Sequence, residues 1–241
     1  MKKWLLRSVG LGILLLILGV GLILGCYGRS FSISKTSSET FTVEMPVQTV
    51  AINLLMSDVS SKISQRLGVG VLEKKTVEKT GDISLPSFLS GKWNARQVEE
   101  SSCEMQDANL GTLLLKIRAT MEASPEKIVT VTELSESAGA LEEMVQVVTI
   151  TPVPAPEQES KKPAGKGLMG MVSGLMGGGK QSGKTEIGVE YTTSIRVEYP
   201  ALPFIRTEAE KRLALSHEKT MQVLVETLRE YATTPDMTLV K

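Results

Sequence analysis

The sequence predicts an α+β domain in which an antiparallel sheet with one apolar face is covered by a single long C-terminal helix. Three observations carry that expectation. Between residues 93 and 199, β-prone segments of alternating polarity follow one another, separated by short turn signals. After Pro200 and Pro203 the apolar period lengthens from two to between three and four, nearly to the end of the chain. Ahead of both, Ser8–Gly28 contains no charged residue, which sets the first segment apart from everything after it.

The totals narrow the classes. A chain of 241 residues has room for one sizeable domain, and 27 basic against 27 acidic side chains leave no net field that draws it to nucleic acid. Four Phe, four Tyr and two Trp also give few platforms for stacking bases, so nucleic acid is not an expected partner. Two cysteines and one histidine fall short of the about four ligands of tetrahedral zinc; neither a metal nor a cofactor is expected. Cys26 and Cys103 lie far apart, so no disulfide framework is expected, and Cys103 reads as a small buried apolar residue.

Residues 1–28 read as a membrane anchor. The uncharged run Ser8–Gly28 meets the about 20 residues that a helix needs to cross a bilayer. Lys2, Lys3 and Arg7 before it, against Arg29 and Lys35 after it, favour a cytoplasmic N-terminus and a soluble part outside the cytoplasm. The expected location is thus the cell membrane, with a single pass. Two alternatives stand beside this one. A cleaved signal peptide has a shorter apolar core, of about 7–15 residues, and would release a secreted protein. The segment Ile23-Leu24-Gly25-Cys26 resembles the lipobox of bacterial lipoproteins, whose cysteine is lipidated after cleavage, although Leu24 departs from the small or β-branched residue usual there.

From there the elements come in order. Residues 29–40, rich in Ser and Thr, read as a linker, and Phe41–Met45 as a first strand. Pro46 opens a helix with Val47, Val50, Ala51, Leu54 and Leu55 on one face. Ser57 and Asp58 cap a second helix through Val59, Ile63 and Leu67, which Gly68 and Gly70 end. Val71–Val77 is a strand candidate before a turn at Gly81-Asp82, and Asp82–Lys92 reads as a loop exposing Phe88 and Leu89. Strands are then expected at Trp93–Met105, Leu113–Met121, Lys127–Glu136, Leu141–Val153 and Glu186–Tyr199, with turns at Ser124-Pro125 and Ala138-Gly139.

Leu113, Leu115, Ile117, Ala119 and Met121 share one face of their strand. In the last strand Ile187, Val189, Tyr191, Ile195, Val197 and Tyr199 point one way, and Glu186, Glu190, Arg196 and Glu198 the other, which means one buried and one wet face. The closing helix shows Ile205, Ala209, Leu213, Thr220, Leu224, Leu228 and Tyr231 at helical spacing, over about seven turns. Its wet face carries Glu208, Glu210, Lys211, Arg212, Glu218 and Lys219, and residues 233–241 form a tail holding Pro235. Between the last two strands, residues 154–185 are rich in Pro, Lys and Gly and read as a flexible insert.

Several motifs look like chemistry and weigh less than they seem. Gly178–Thr185 satisfies the phosphate-loop pattern GxxxxGK(S/T). Such a loop must leave a buried strand and open a helix, whose N-terminal amides hold the phosphates. Here a glycine-broken stretch precedes it and the best strand in the chain follows, so nucleotide binding is not expected. Leu168, Met169, Met171, Val172, Leu175 and Met176, flanked by lysines, could form a short membrane-dipping helix, but their glycines, at about 1 kcal/mol per helical position, favour a loop. His217 stands alone on the closing helix; Glu99-Glu100 and Glu142-Glu143 are strand neighbours that face opposite ways, so neither makes a carboxylate dyad. Catalytic residues are therefore not assigned.

Strand, two short helices, a run of antiparallel strands and a long final helix form an order that resembles the START-like (SRPBCC) helix-grip superfamily. FTVEMPVQTVAINLLMSD, from Phe41, resembles its opening strand and first helix. IRVEYPALPFIRTEAEKRLALSHEKTMQVLVETLREY, from Ile195, resembles its last strand and closing helix. The resemblance covers residues 41–232 apart from the insert. It implies a curved sheet wrapped around the closing helix, with a cavity between them. Members bind lipids, sterols, polyketides and other apolar molecules, some are cyclases or hydrolases, and bacterial forms carry an N-terminal membrane segment.

Function is expected accordingly: a membrane-tethered binding module for a lipid or other apolar small molecule, with the tether in residues 8–28. A cyclase- or hydrolase-like enzyme and an interaction protein with a solid core remain as alternatives. The shortage of aromatics favours aliphatic ligands over flat ones. The lining residues that the resemblance implies are Leu115, Ile117, Met121, Val189, Tyr191 and Ile195 from the sheet, and Leu213, His217 and Met221 from the helix.

Overall fold

The computed structural model describes residues 30–57, 59–81, 93–107, 111–154, 183–199 and 202–233. Along them run β1 (Phe31–Val43), α1 (Val47–Met56), α2 (Val59–Leu67), β2 (Val69–Gly81), β3 (Ala95–Asp107), β4 (Gly111–Ala123), β5 (Ile128–Glu136), β6 (Leu141–Pro152), β7 (Thr185–Val197) and α3 (Pro203–Thr233). The strands form one antiparallel sheet in the order β1-β7-β6-β5-β4-β3-β2. Consecutive strands pair except at one edge, where the last strand returns to lie beside the first, from Phe31 opposite Val197 to Val43 opposite Thr185.

That pairing corrects the N-terminal reading. Residues 31–40, expected as a linker, are the first ten of the thirteen residues of β1. Their Ser and Thr content suggested a solvated tether, but an edge strand needs only one inward row. Phe31, Ile33, Lys35 and Ser37 provide it, half-buried, while Ser32, Ser34 and Thr36 face out. Threonine also favours extended backbone.

The short helices follow from their caps and faces. Pro46 precedes α1 in extended conformation, and Val47, Val50, Ala51 and Leu54 are buried as their spacing predicts. Gly68, with φ of 71°, ends α2 in the left-handed region that suits glycine. Gly70 does not belong to that stop; it lies inside β2, which extends beyond Val71–Val77 in both directions. Two bulges, at Val71/Glu73 and Thr76/Glu78, interrupt the pairing of β2 with β3. The Asp82–Lys92 loop, most of the 154–185 insert, Asp58, the 234–241 tail and the whole 1–29 segment lie outside the described residues.

α3 runs across the concave face of the sheet. Its inward row is Leu213, His217, Met221, Leu224, Val225, Leu228 and Ala232, and the charged residues predicted for the wet face are exposed. Two buried clusters result. One joins Phe41, Val50, Leu54, Ile128, Val148, Ile187 and Val189 to the stretch of α3 from Met221 to Ala232. The other joins Cys103, Leu113, Leu115, Leu141 and Ile195 to Leu213. Asn53 ties α1 to the end of α3 by donating to the Ala232 carbonyl at 3.0 Å. From α2, Arg66 bonds Thr227 at 2.9 Å and Glu230 at 2.6 Å. Tyr199, expected on the inward row of the last strand, is 65% exposed, because β7 ends two residues earlier.

Candidate functional site

Strand alternation brings one row of side chains to the concave face from each strand, and register fixes their levels. Ser37, Tyr191, Gln146 and Thr132 fall opposite one another on β1, β7, β6 and β5. This is a polar row across that face, with Lys35 and Thr193 paired two residues away from Ser37 and Tyr191. On the far side of it, toward the ends of the strands near Val43 and Thr185, the first cluster packs densely. On the near side α3 stands off the sheet.

The gap between them is a cavity of about 1020 Å³, partly open to solvent. Its apolar wall includes Leu115, Ile117, Leu141, Met144, Ile195 and Leu213, and its polar floor includes Thr132, Gln146, Tyr191 and Thr193. Ile63 and Leu67 of α2 close one flank. At the mouth stand Arg196, Glu198 and Tyr199, from the end of β7, and Arg212, Leu215 and Lys219 of α3, all exposed; Ser60 and Gln106 are exposed on the opposite flank. Arg212 hydrogen-bonds Glu208 at 2.8 Å, and that bond, with the charge behind it, holds the Glu208 carboxyl below its usual range.

Of the residues expected to line the cavity, Leu115, Ile117, Tyr191, Ile195 and Leu213 do so. Val189 and Met221 lie in the dense cluster, and Met121 packs half-buried against it. His217 is 1% exposed and sits behind Tyr191, with ring centroids 4.9 Å apart. Its Nε2 pairs with the Ser37 hydroxyl at 2.9 Å, while Nδ1 is buried without a partner among the described residues. Burial, with the Lys35 charge as a second cause, lowers its pKa below the ordinary 6.5. The imidazole is thus held between α3 and β1, against a serine and not among the residues that line the cavity.

Sequence reasoning missed Thr132, Met144, Gln146, Thr193 and the α2 residues. The strand residues carried a usable signal. Met144, Gln146, Val148 and Ile150 alternate onto one face, and a glutamine within such a row marks a buried polar position. The α2 contribution had none, since only packing brings that helix to the cavity. Thr193 is 6% exposed, and its hydroxyl oxygen has no hydrogen-bond partner among the described residues.

The end of the phosphate-loop pattern lies elsewhere. Lys184 is paired with Glu44 at 2.6 Å, and Thr185 opens β7 with its hydroxyl donating to the Met45 carbonyl at 2.6 Å. The described end of the pattern therefore leads into a strand, whereas a phosphate loop opens a helix. Cys103 is buried, in keeping with its reading as a small apolar residue. Among the described residues no helix is long and apolar enough to cross a membrane, and Ser8–Gly28 is not among them.

No protein-family model matches the chain, and no curated protein matches it. Among solved structures it is similar to the protein TTHA0849 from Thermus thermophilus, with a TM-score of 0.42 and 11% identity over 82% of this chain and 97% of that one. It is similar to the Zhui aromatase/cyclase from a Streptomyces species, at 0.41 and 12% over 83% and 94%. A Rhizobium leguminosarum protein gives 0.35 and 12% over 84% and 99%. The chain's own topology, a seven-stranded antiparallel sheet packed on a long C-terminal helix, is a helix-grip fold.

Proposed function

We propose that this chain is a membrane-tethered binding module that holds a lipid or another apolar small molecule between α3 and the sheet. The cavity carries this reading. At about 1020 Å³ it has the size of a ligand site, at the upper end of the usual range of about 300–1,000 Å³. Its walls are chiefly aliphatic, and burial of an acyl chain there gives roughly 0.8 kcal/mol per methylene without specific polar contacts. The few polar groups of the floor suit a ligand with one oxygen-bearing end. The tether is the uncharged run Ser8–Gly28, which on this reading keeps the domain outside the cytoplasm, beside the bilayer that supplies the ligand.

Native mass spectrometry of the full chain released from detergent micelles tests the proposal. The expected result is one apolar molecule retained per chain, lost when Leu115→Trp fills the cavity. Chains that stay empty and ignore a panel of fatty acids, alcohols and sterols would overturn it, and would favour an interaction protein.

A further inference from the structure

The position of the first strand says which way the cavity faces. Gly28 closes the uncharged run, and only Arg29 and Ser30 separate it from Phe31, the first residue of β1. Two extended residues reach roughly 7 Å. Phe31 is paired with Val197, and Arg196 donates from Nε to the Ser30 hydroxyl at 3.0 Å. Arg196, Val197, Glu198 and Tyr199 are themselves cavity residues at the mouth. The described chain thus begins beside the mouth, only two residues in sequence after the uncharged run ends.

Large apolar side chains lie exposed around the same place. Tyr199 is 65% exposed, Phe204 69% and Leu215 60%. Tyr199 and Leu215 line the mouth, and Phe204 sits in the first turn of α3, five residues beyond Tyr199. A tyrosine with a wet hydroxyl and an apolar ring suits the boundary between headgroups and acyl chains. The mouth's charges are largely paired, Arg196 with Glu142 at 4.0 Å and Arg212 with Glu208 at 2.8 Å, so apolar contact and the short tether dominate.

The geometry points to a fixed orientation, resting on the tether and cavity readings above: the mouth is held against the lipid surface, and ligand passes between bilayer and cavity without crossing water. The opposite end of β1 and β7, where Glu44 and Met45 meet Lys184 and Thr185, then lies up to about 40 Å farther from the membrane, at roughly 3.3 Å per strand residue. The 154–185 insert leaves and rejoins the sheet at that distant end, as the Val153 to Lys184 hydrogen bond of 3.0 Å shows.

The test uses the full chain in phosphatidylcholine vesicles containing a lipid with a nitroxide headgroup. A fluorophore is placed by Phe204→Cys, Leu215→Cys or Thr42→Cys, each in a chain that also carries Cys26→Ser and Cys103→Ala. Thr42 is exposed at the distant end of β1. Quenching is expected to be several-fold stronger at Phe204 and Leu215 than at Thr42. A flexible Gly/Ser segment of about 20 residues after Arg29, with a span of about 25 Å, should reduce the difference. Equal quenching at both ends, stronger quenching at Thr42, or no response to the longer linker would overturn the orientation. A chain that fails to float with the vesicles would overturn it together with the tether. Ligand retention, read separately by mass spectrometry, reports on the cavity alone.

Discussion

Along α3, the turns from Met221 to Ala232 press against α1 and the sheet, whereas those from Ala209 to Thr220 border the cavity and meet the sheet at Leu213 and His217. Both stretches face the same concave surface with the same periodicity. They differ in what meets them. Val47, Val50 and Leu54 of α1 and the β-branched Val148, Ile150, Ile187 and Val189 fill the gap under the later turns. Under the earlier turns the sheet presents the short or polar side chains of Gln146, Thr132 and Thr193, which line the cavity. A domain that keeps a void must secure its stability elsewhere, because unfilled space forfeits dispersion contacts. Here one half of the helix packs the dense cluster and the other half borders the cavity.

The contrast can be broken by truncation. Leu224 is fully buried, and Leu224→Ala should cost about 2–5 kcal/mol in urea unfolding. Leu213→Ala should cost clearly less, since Leu213 already borders the cavity. Equal losses would mean that the two halves are packed alike.

Enlargement probes it from the other side. Val50→Phe adds bulk where none fits and should destabilise by about 1–3 kcal/mol. Ile117→Phe adds comparable bulk at the cavity wall and should cost under about 1 kcal/mol while reducing ligand retention. An Ile117→Phe chain as unstable as Val50→Phe would argue that the gap closes in solution.

His217 sharpens the boundary between the halves, with an effect that is a slope with pH. Its folded pKa lies below the ordinary 6.5, so as pH falls through that value the unfolded chain takes up a proton before the folded one does. The stability is complete above about pH 6.5 and is lost as pH drops toward the folded pKa. Thermal unfolding at about pH 7.5 and about pH 5.5 should show a smaller drop for His217→Gln than for the parent chain. An unchanged drop would mean that other groups set the acid sensitivity.

Much of the fold was legible because long elements repeat their period many times. β7 and α3 were placed within about two residues at most of their ends. β1 was not, since Ser32, Ser34, Thr36 and Ser38 match a linker as well as an outward row, and only pairing with β7 distinguishes the two. The cavity wall was half legible for a related reason. Alternation identifies which residues face inward, as for Leu115, Ile117 and Ile195, but not how far along the strand packing stops. Val189 and Tyr191 share a face and are separated by one residue, yet the first lies in the dense cluster alone and the second also reaches the cavity. The height of α3 above the sheet decides that, and it depends on α1, α2 and the sheet's curvature together.

Among the described residues the sheet has two unpaired edges, β1 and β2. An unpaired strand edge offers amides and carbonyls on which a second chain can add. On the proposed bilayer, copies would be concentrated in two dimensions with their edges aligned, the condition under which such addition is fastest. The bulges at Val71/Glu73 and Thr76/Glu78 put the β2 edge out of step with any straight strand, and its exposed charged side chains, Glu73, Lys74, Lys75, Glu78 and Lys79, keep that edge hydrated. Crowded copies are therefore steered away from fibre-like growth while the edge itself stays in water.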